Sequence, residues 1–575
     1  MQTNTLQRTT GTARIALIYP YFLEERILAE EIAAVPLGLF YVAATLRAHG
    51  YETTVLNWHD ANRRPETIRD TLRQLRPDVI GFSIVHANRW GAIDIARVAR
   101  ALIPGAKIVF GGIGASFLWR HLLTHFDEID FVIQGEGEMA MLALVRALTA
   151  GETDLSAVPN LIWRGPQGLQ ENAPAAPVQD LDALPSPAQH FDYQHLAVTR
   201  GCPGRCTFCG SPRFWGRRVR AHSTDYMLDQ LARLSARGTT HFYLSDDTFT
   251  LQPRRVIELC RGILERGLRI SWQAIARVNP VHAEMLRWMR KAGCVQISYG
   301  VESGSPAIRR RLCKDITEEQ ILNAFNLTVR HGILARAYFI YGAPGEKDAT
   351  IAETLDLIRR IRPLAAIFYV MTLFPGTGLY DEYCERSGIT DDIWLKRIED
   401  LLYFETDPAL SREQILAFGS RLRTTYHGWL PEFAAGIELA DDPGLRAEQA
   451  DFLSRLALTF SHGDYAPIVQ PPRARETARR LFERALGLHP DPRAFWGLAL
   501  LDQEEGAWRR AATLLENGLR HHPEHMLLHL RLAVGLMQEG DYREAMGHLI
   551  PFQHAPEVTP YLQACRRRLS ASKTP

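Results

Sequence analysis

Short apolar runs alternate with helical stretches through most of this chain, and the unusual residues fall just after the runs. Residues 15–19, 52–58, 78–83, 107–112 and 131–134 read as strands, and 37–49 as an amphipathic helix stopped at Gly50. Apolar strands separated by helices predict an open parallel sheet of Rossmann-like type over residues 12–150. Such sheets bind ligands beyond the carboxyl ends of their strands. Ser83, Gly111, Gly112, Gly135 and Glu136 fall on those ends. Six prolines between 159 and 187 mark 151–190 as an extended linker with one short strand near 161–163. Alternation resumes over 191–400, where strands lead to Asp246 and Asp247, Arg277, Glu302, Gly342 and Gly376. Chemistry gathered on one rim is the pattern of a (β/α) barrel, partial or full.

Cys202, Cys206 and Cys209 follow the strand predicted at 196–199, so they belong to that rim. Three thiolates at Cys-x3-Cys-x2-Cys spacing can wrap one cluster of four irons and leave one iron open. A zinc site needs a fourth ligand, and neither His195 nor His222 completes a paired motif. A disulfide would strand an odd thiol in a chain with no visible secretory signal. The other five cysteines lie far apart in sequence and read as reduced, mostly buried thiols.

The formal net charge of +1 gives no electrostatic footprint for nucleic acid or an anionic membrane. The most apolar early stretch, 33–45, is broken by Pro36 and Gly38 and is too short to span a bilayer. A cytoplasmic location is expected. Residues 401–470 read as a helical extension. Residues 471–570 read as an all-α repeat region of period 33–34, aligning Ala478 with Ala512 and Ala545, Pro490 with Pro523, and Gly506 with Gly540. This resembles tetratricopeptide helix pairs. It could serve as an end cap or as a surface for a peptide or carrier protein.

With these residues in view, the chain resembles the radical S-adenosylmethionine (SAM) enzymes that carry a cobalamin-binding domain. The resemblance covers roughly residues 12–400 and rests on segments 35–43, 111–112, 135–138, 202–209, 245–250, 300–305, 341–346 and 375–380 in that order. It implies a 4Fe–4S cluster on Cys202, Cys206 and Cys209, with SAM chelated at the open iron and cleaved to a 5′-deoxyadenosyl radical. It implies that Phe208 packs by the adenine or the cluster. Asp246 and Asp247 would approach the methionine ammonium, and Arg277 and Glu302 the carboxylate and the ribose or amine. Gly342 and Gly345 would let the backbone approach the adenine. Ser83, Gly111, Gly112 and Gly135 would accommodate the cobalamin tail. The Asp-x-His-x-x-Gly motif of some cobalamin proteins is absent, so the cobalt is expected to lack a protein histidine. His59 and His86 are expected to be ordinary surface or loop residues.

What the resemblance implies functionally is methyl transfer to an unactivated centre, with an external flavodoxin- or ferredoxin-like electron donor. Cyclisation, oxidation or rearrangement on the same fold is the alternative, and a cluster-bearing scaffold the non-enzymatic one. A methylthiotransferase is disfavoured, because residues 1–201 hold none of the three further cysteines that class carries.

Overall fold

The computed structural model describes residues 13–23, 36–165, 167–469 and 473–571. Expectations placed on Thr12, on residues 33–35, on Pro166 and on 470–472 lie outside them.

The first sheet holds β1 (Arg14–Tyr19), β2 (Glu52–Asn57), β3 (Val79–Ser83), β4 (Lys107–Gly111), β5 (Phe131–Ile133), β6 (Leu161–Gly165) and β7 (Gly168–Glu171). Their order is β2-β1-β3-β4-β5-β6-β7. The first five are parallel, while β6 and β7 add antiparallel. The short strand expected near 161–163 is β6, and with β7 it forms a hairpin that buries Leu161 and Ile162 against β5. Its place at the edge of the first sheet comes from antiparallel pairing with β5, which the sequence did not specify. The helices α1 (Leu37–Ala48), α2 (Pro65–Leu75), α3 (Arg89–Leu102), α4 (Gly112–His125) and α5 (Glu138–Ala150) cover both faces. Ile80, Ile108 and Phe110 are fully buried on one face, each contributing roughly 1.5–3 kcal/mol by leaving water. Strand order reverses between β1 and β3, and a crevice opens beyond their carboxyl ends.

The second sheet is an open partial barrel of six parallel strands. The strand predicted at 196–199 is divided into β8 (His195–Leu196) and β9 (Thr199–Arg200). The segment β10 (Arg220–Ala221) pairs antiparallel with β9. The barrel runs from β8 through β11 (His241–Leu244), β12 (Ser271–Ala276), β13 (Cys294–Glu302) and β14 (Leu334–Tyr341) to β15 (Ala365–Val370). One hydrophobic core continues from the first sheet through the barrel into the helices that follow.

Beyond the barrel the described residues are helical, beginning with Arg412–Ala435 and Arg446–Ser461. Helices then run over Arg473–Leu488, Pro492–Glu504, Trp508–His521, Met526–Glu539, Tyr542–Leu549 and Thr559–Ala571. Gly506 and Gly540 both take positive φ between helices, 77° and 89°, which suits glycine at a helix end. The alanine alignment shifts by one residue. Ala511, not Ala512, is fully buried alongside Ala478 and Ala545, because helix packing and not residue count decides which small side chain faces the neighbour. No helix among the described residues is long and apolar enough to cross a membrane.

Candidate cofactor sites and the cleft between them

The cysteine loop folds back on itself between β9 and β10. Cys202 N–H donates to the Gly216 carbonyl, and Cys209 N–H to the Cys206 carbonyl. Thr207 is clamped from two sides: its N–H donates to Leu312, and its carbonyl accepts from Leu379. A Cβ on Gly204 would lie 3.3 Å from Cys202 Sγ, 3.9 Å from Cys206 Sγ and 3.2 Å from Arg277 Nη1. Two thiols and a guanidinium thus converge over a residue without a side chain, a cradle suited to a cluster with an anionic ligand beside it. All eight cysteines are free thiols. Burial pushes the Cys209 thiol up to about 11, helped by Asp247 and the other two cysteines. Burial also raises Cys206, against the pull of Lys314 and Arg277. Metal binding at such thiols releases protons. His195 and His222 are occupied elsewhere, the first bonded to Ser245 and the second to Tyr41 and Asp182.

The carboxylates expected at SAM divide into distinct environments. Asp246 is 2% exposed and accepts from Val198 N–H, Thr199 N–H and the Thr199 hydroxyl. It braces the strand that leads to Cys202. Burial raises its carboxyl to about 6, partly offset by those hydrogen bonds. Asp247 instead accepts from the Ser211 hydroxyl, two residues beyond Cys209, and lies close enough to bear on the Cys209 thiol. Glu302 takes φ 67° where the β13–β14 register slips, a conformation costly for a residue with a side chain. Its carboxylate accepts from Lys314 at 2.8 Å with both side chains buried. Lys314 escaped sequence reasoning, since no local signal marks it. Arg277 donates to the Asp315 carbonyl at 3.2 Å, which leaves its Nη1 by the cysteines. Phe208 is half-buried and packs against the hydrophobic core. Gly342 faces Ile415 of the helix Arg412–Ala435 and donates its N–H to Glu346. Glu346 is buried, and burial pushes its carboxyl up to about 7, against two backbone N–H bonds.

In the first domain, Ser83, Gly111, Gly112 and Gly135 all line a cavity of about 260 Å³ that reaches between β1, β3, β4 and α1. Gly112 has φ 87°, and a Cβ there would meet the Ile84 carbonyl at 2.7 Å and Ser83 Oγ at 3.1 Å. Its missing side chain serves backbone packing. Gly135, by contrast, has nothing within 4 Å of a Cβ position. An apolar slot at the sheet's switch point, floored by Gly81, Val109 and Met141, fits the flat, largely apolar tail of a nucleotide-bearing cofactor.

The two sites share one cleft. Phe214 and Trp215, a few residues after Cys209, line the cavity of the first domain. A Cβ on Gly210 would touch Phe117 and Ile113 of α4 at 3.4 and 3.6 Å. Arg200, two residues before Cys202, pairs with Glu138 at 2.6 Å and with Glu136 at 3.3 Å, while Arg220 pairs with Glu136 at 2.7 Å. Arg89 donates to the carbonyls of Trp394 and Ile398 across the domains, at 3.3 and 2.7 Å. His86 is not a surface residue. It is 5% exposed between Phe374 and Trp394, and burial holds it down at about 3. Half-buried His59 hydrogen-bonds Asn57.

Two family models match the chain: a B12 binding domain over residues 32–145 and the Radical SAM superfamily over 196–358. An uncharacterized methyltransferase of Pyrococcus horikoshii is 28% identical over 387 residues, covering 65% of this chain and 83% of the relative. An anaerobic magnesium-protoporphyrin IX monomethyl ester cyclase of Rubrivivax gelatinosus is 28% identical over 375 residues, covering 62% of this chain and 67% of the relative. Among solved structures, the radical S-adenosylmethionine methyltransferase TsrM from Kitasatospora setae, with cobalamin and a [4Fe-4S] cluster bound, superposes with a TM-score of 0.59 at 18% identity. It covers 83% of this chain and 100% of that one. That likeness is one of fold.

Proposed function

We propose, for this radical SAM enzyme with an N-terminal B12-binding domain, that it transfers a methyl group to an unactivated carbon or phosphorus centre held between the two domains. The observation that supports this best is the shared cleft: Phe214 and Trp215, on the cysteine loop, line the cavity that would take the cobalamin tail. Two cofactors on facing rims can act on one substrate without a diffusing intermediate.

Cys202, Cys206 and Cys209 would hold the cluster, and Ser83, Gly111 and Gly135 would border the cobalamin tail. When bound, the cluster supplies the electron that cleaves SAM, and cobalamin supplies a methyl carrier. The chain's own work is to bind, orient and exclude water. Arg277 would meet the SAM carboxylate and Asp247 its ammonium, both charge-assisted contacts. Asp246 would hold the cysteine loop in place through Thr199. The Glu302–Lys314 pair would set the charge near Cys206. The Arg200–Glu138 pair would help close the cleft on the side of Tyr41 and Trp215, whose rings lie 5.2 and 5.1 Å from the guanidinium. Reduction would come from an external flavodoxin- or ferredoxin-like donor. The helical repeats are the surface proposed for a peptide or carrier-protein substrate.

The similarity to the Rubrivivax cyclase favours a second reading, ring formation without methyl transfer. Anaerobic turnover with methyl-deuterated SAM tests both. The methyltransferase reading expects one deuterated methyl in product, with S-adenosylhomocysteine and 5′-deoxyadenosine formed and Cys206→Ala inactive. 5′-Deoxyadenosine with unlabelled product selects the second reading.

A further inference from the structure

His121 and His125 stand one turn apart on the last two turns of α4, on one face of the helix. Asp392, in the turn Asp391–Leu395 of the second domain, approaches the same face. His125 Nε2 lies 3.0 Å from Asp392 Oδ1, and the two imidazole rings are 5.1 Å apart. One ligand atom from each of the three lies within 4.8 Å of the others. His121 is 4% exposed, and neither of its ring nitrogens has a hydrogen-bond partner. A buried polar group without a partner is costly and needs an explanation. Asp392 and His125 are exposed or half-exposed, which leaves a path for an ion to enter.

We infer that His121, His125 and Asp392 form a divalent metal site of the zinc class, separate from both cofactor sites. Two imidazoles and one carboxylate are a nitrogen–oxygen set that suits zinc, with a fourth position open to water. Zinc ligands sit about 2.0–2.2 Å from the ion, so His121 has to swing slightly toward the other two. The nearby Arg89 guanidinium is engaged by the Trp394 and Ile398 carbonyls. The site joins α4, which begins at the cavity-lining Gly112, to the turn carrying the fully buried Trp394. An ion there staples the two halves of the cleft together.

The test uses full-length protein with its cluster assembled, so that Cys202, Cys206 and Cys209 are not free to take zinc. Zinc is titrated against a chromophoric competitor, iron is quantified in parallel, and thermal midpoints are read with and without zinc. The expected result is one zinc per chain at micromolar concentration or below and a midpoint that rises with zinc. In His125→Ala and in Asp392→Asn the affinity falls at least tenfold with iron content unchanged. These two side chains lie toward solvent, so folding does not depend on them as it does on His121. No zinc uptake at micromolar concentration overturns the site. So does undiminished uptake in both variants, which would place the ion elsewhere, for instance at the His529–His548 pair.

Discussion

Arg200 Nη2 lies 2.6 Å from Glu138 Oε1, and this buried pair ties the strand entering the cysteine loop to the first turn of α5 in the other domain. Burial draws the Arg200 guanidinium down, but Glu138 and Glu136 more than offset it and hold it above its ordinary range. Removing one partner strands a buried charge, so Arg200→Met is expected to cost about 3–5 kcal/mol. Chemical denaturation of the variant should show that loss together with weaker cobalamin retention. The double variant Arg200→Met, Glu138→Gln should recover part of it. An Arg200→Met protein as stable as the parent would mean that the pair is not closed in solution.

Asp246 and Asp247 are adjacent in sequence but should respond oppositely. Asp246→Ala leaves Val198 N–H, Thr199 N–H and the Thr199 hydroxyl without their acceptor, at about 1–3 kcal/mol per unsatisfied group. Its melting temperature and iron per chain should both fall. Asp247→Asn should keep iron and melting temperature and weaken SAM binding roughly tenfold, on the loss of one charge-assisted contact. Calorimetric titration with SAM checks this, and equal SAM affinity in parent and Asp247→Asn would remove Asp247 from the site.

Ser83→Leu places a branched side chain into the cavity between β3 and α1. Cobalamin retained after gel filtration should drop more than tenfold, because the tail and the new side chain compete for the same volume. Iron content should not change. Full retention would show that cobalamin does not use this slot.

Glu346 provides a signed pH dependence. Its ordinary value is 4.5, and in the fold it is about 7. Between these values the folded state keeps a proton that the unfolded chain has lost. Stability from this group is therefore greatest at and below pH 4.5, falls as pH rises to about 7, and is flat above. The full swing is on the order of 3 kcal/mol. Unfolding of Glu346→Gln and the parent should diverge across that window, with the parent losing ground as pH rises. Parallel curves would mean the carboxyl titrates normally.

Much of this architecture follows from local pattern. Strand–helix alternation is written in apolar period and in helix stops such as Gly50. The cysteine loop is legible because its three ligands lie within eight residues. The strand-end positions of Ser83, Gly111 and Gly135 follow from the same alternation, since a parallel sheet places the end of each strand on one rim.

What tertiary structure alone decided are the pairings between distant residues. Which of Asp246 and Asp247 turns inward depends on Thr199, 47 residues before Asp246. Whether His86 is buried depends on Trp394, and whether Glu302 is free depends on Lys314, 12 residues further along the chain. The choice of Ala511 over Ala512 depends on the facing helix. His121 and His125 gain a third candidate ligand only when Asp392, 267 residues after His125, arrives beside them. The physical reason is the same in each case. Periodicity and chain stiffness act over a few residues, whereas the partner of a buried charge or imidazole is chosen by how whole sheets and helices pack.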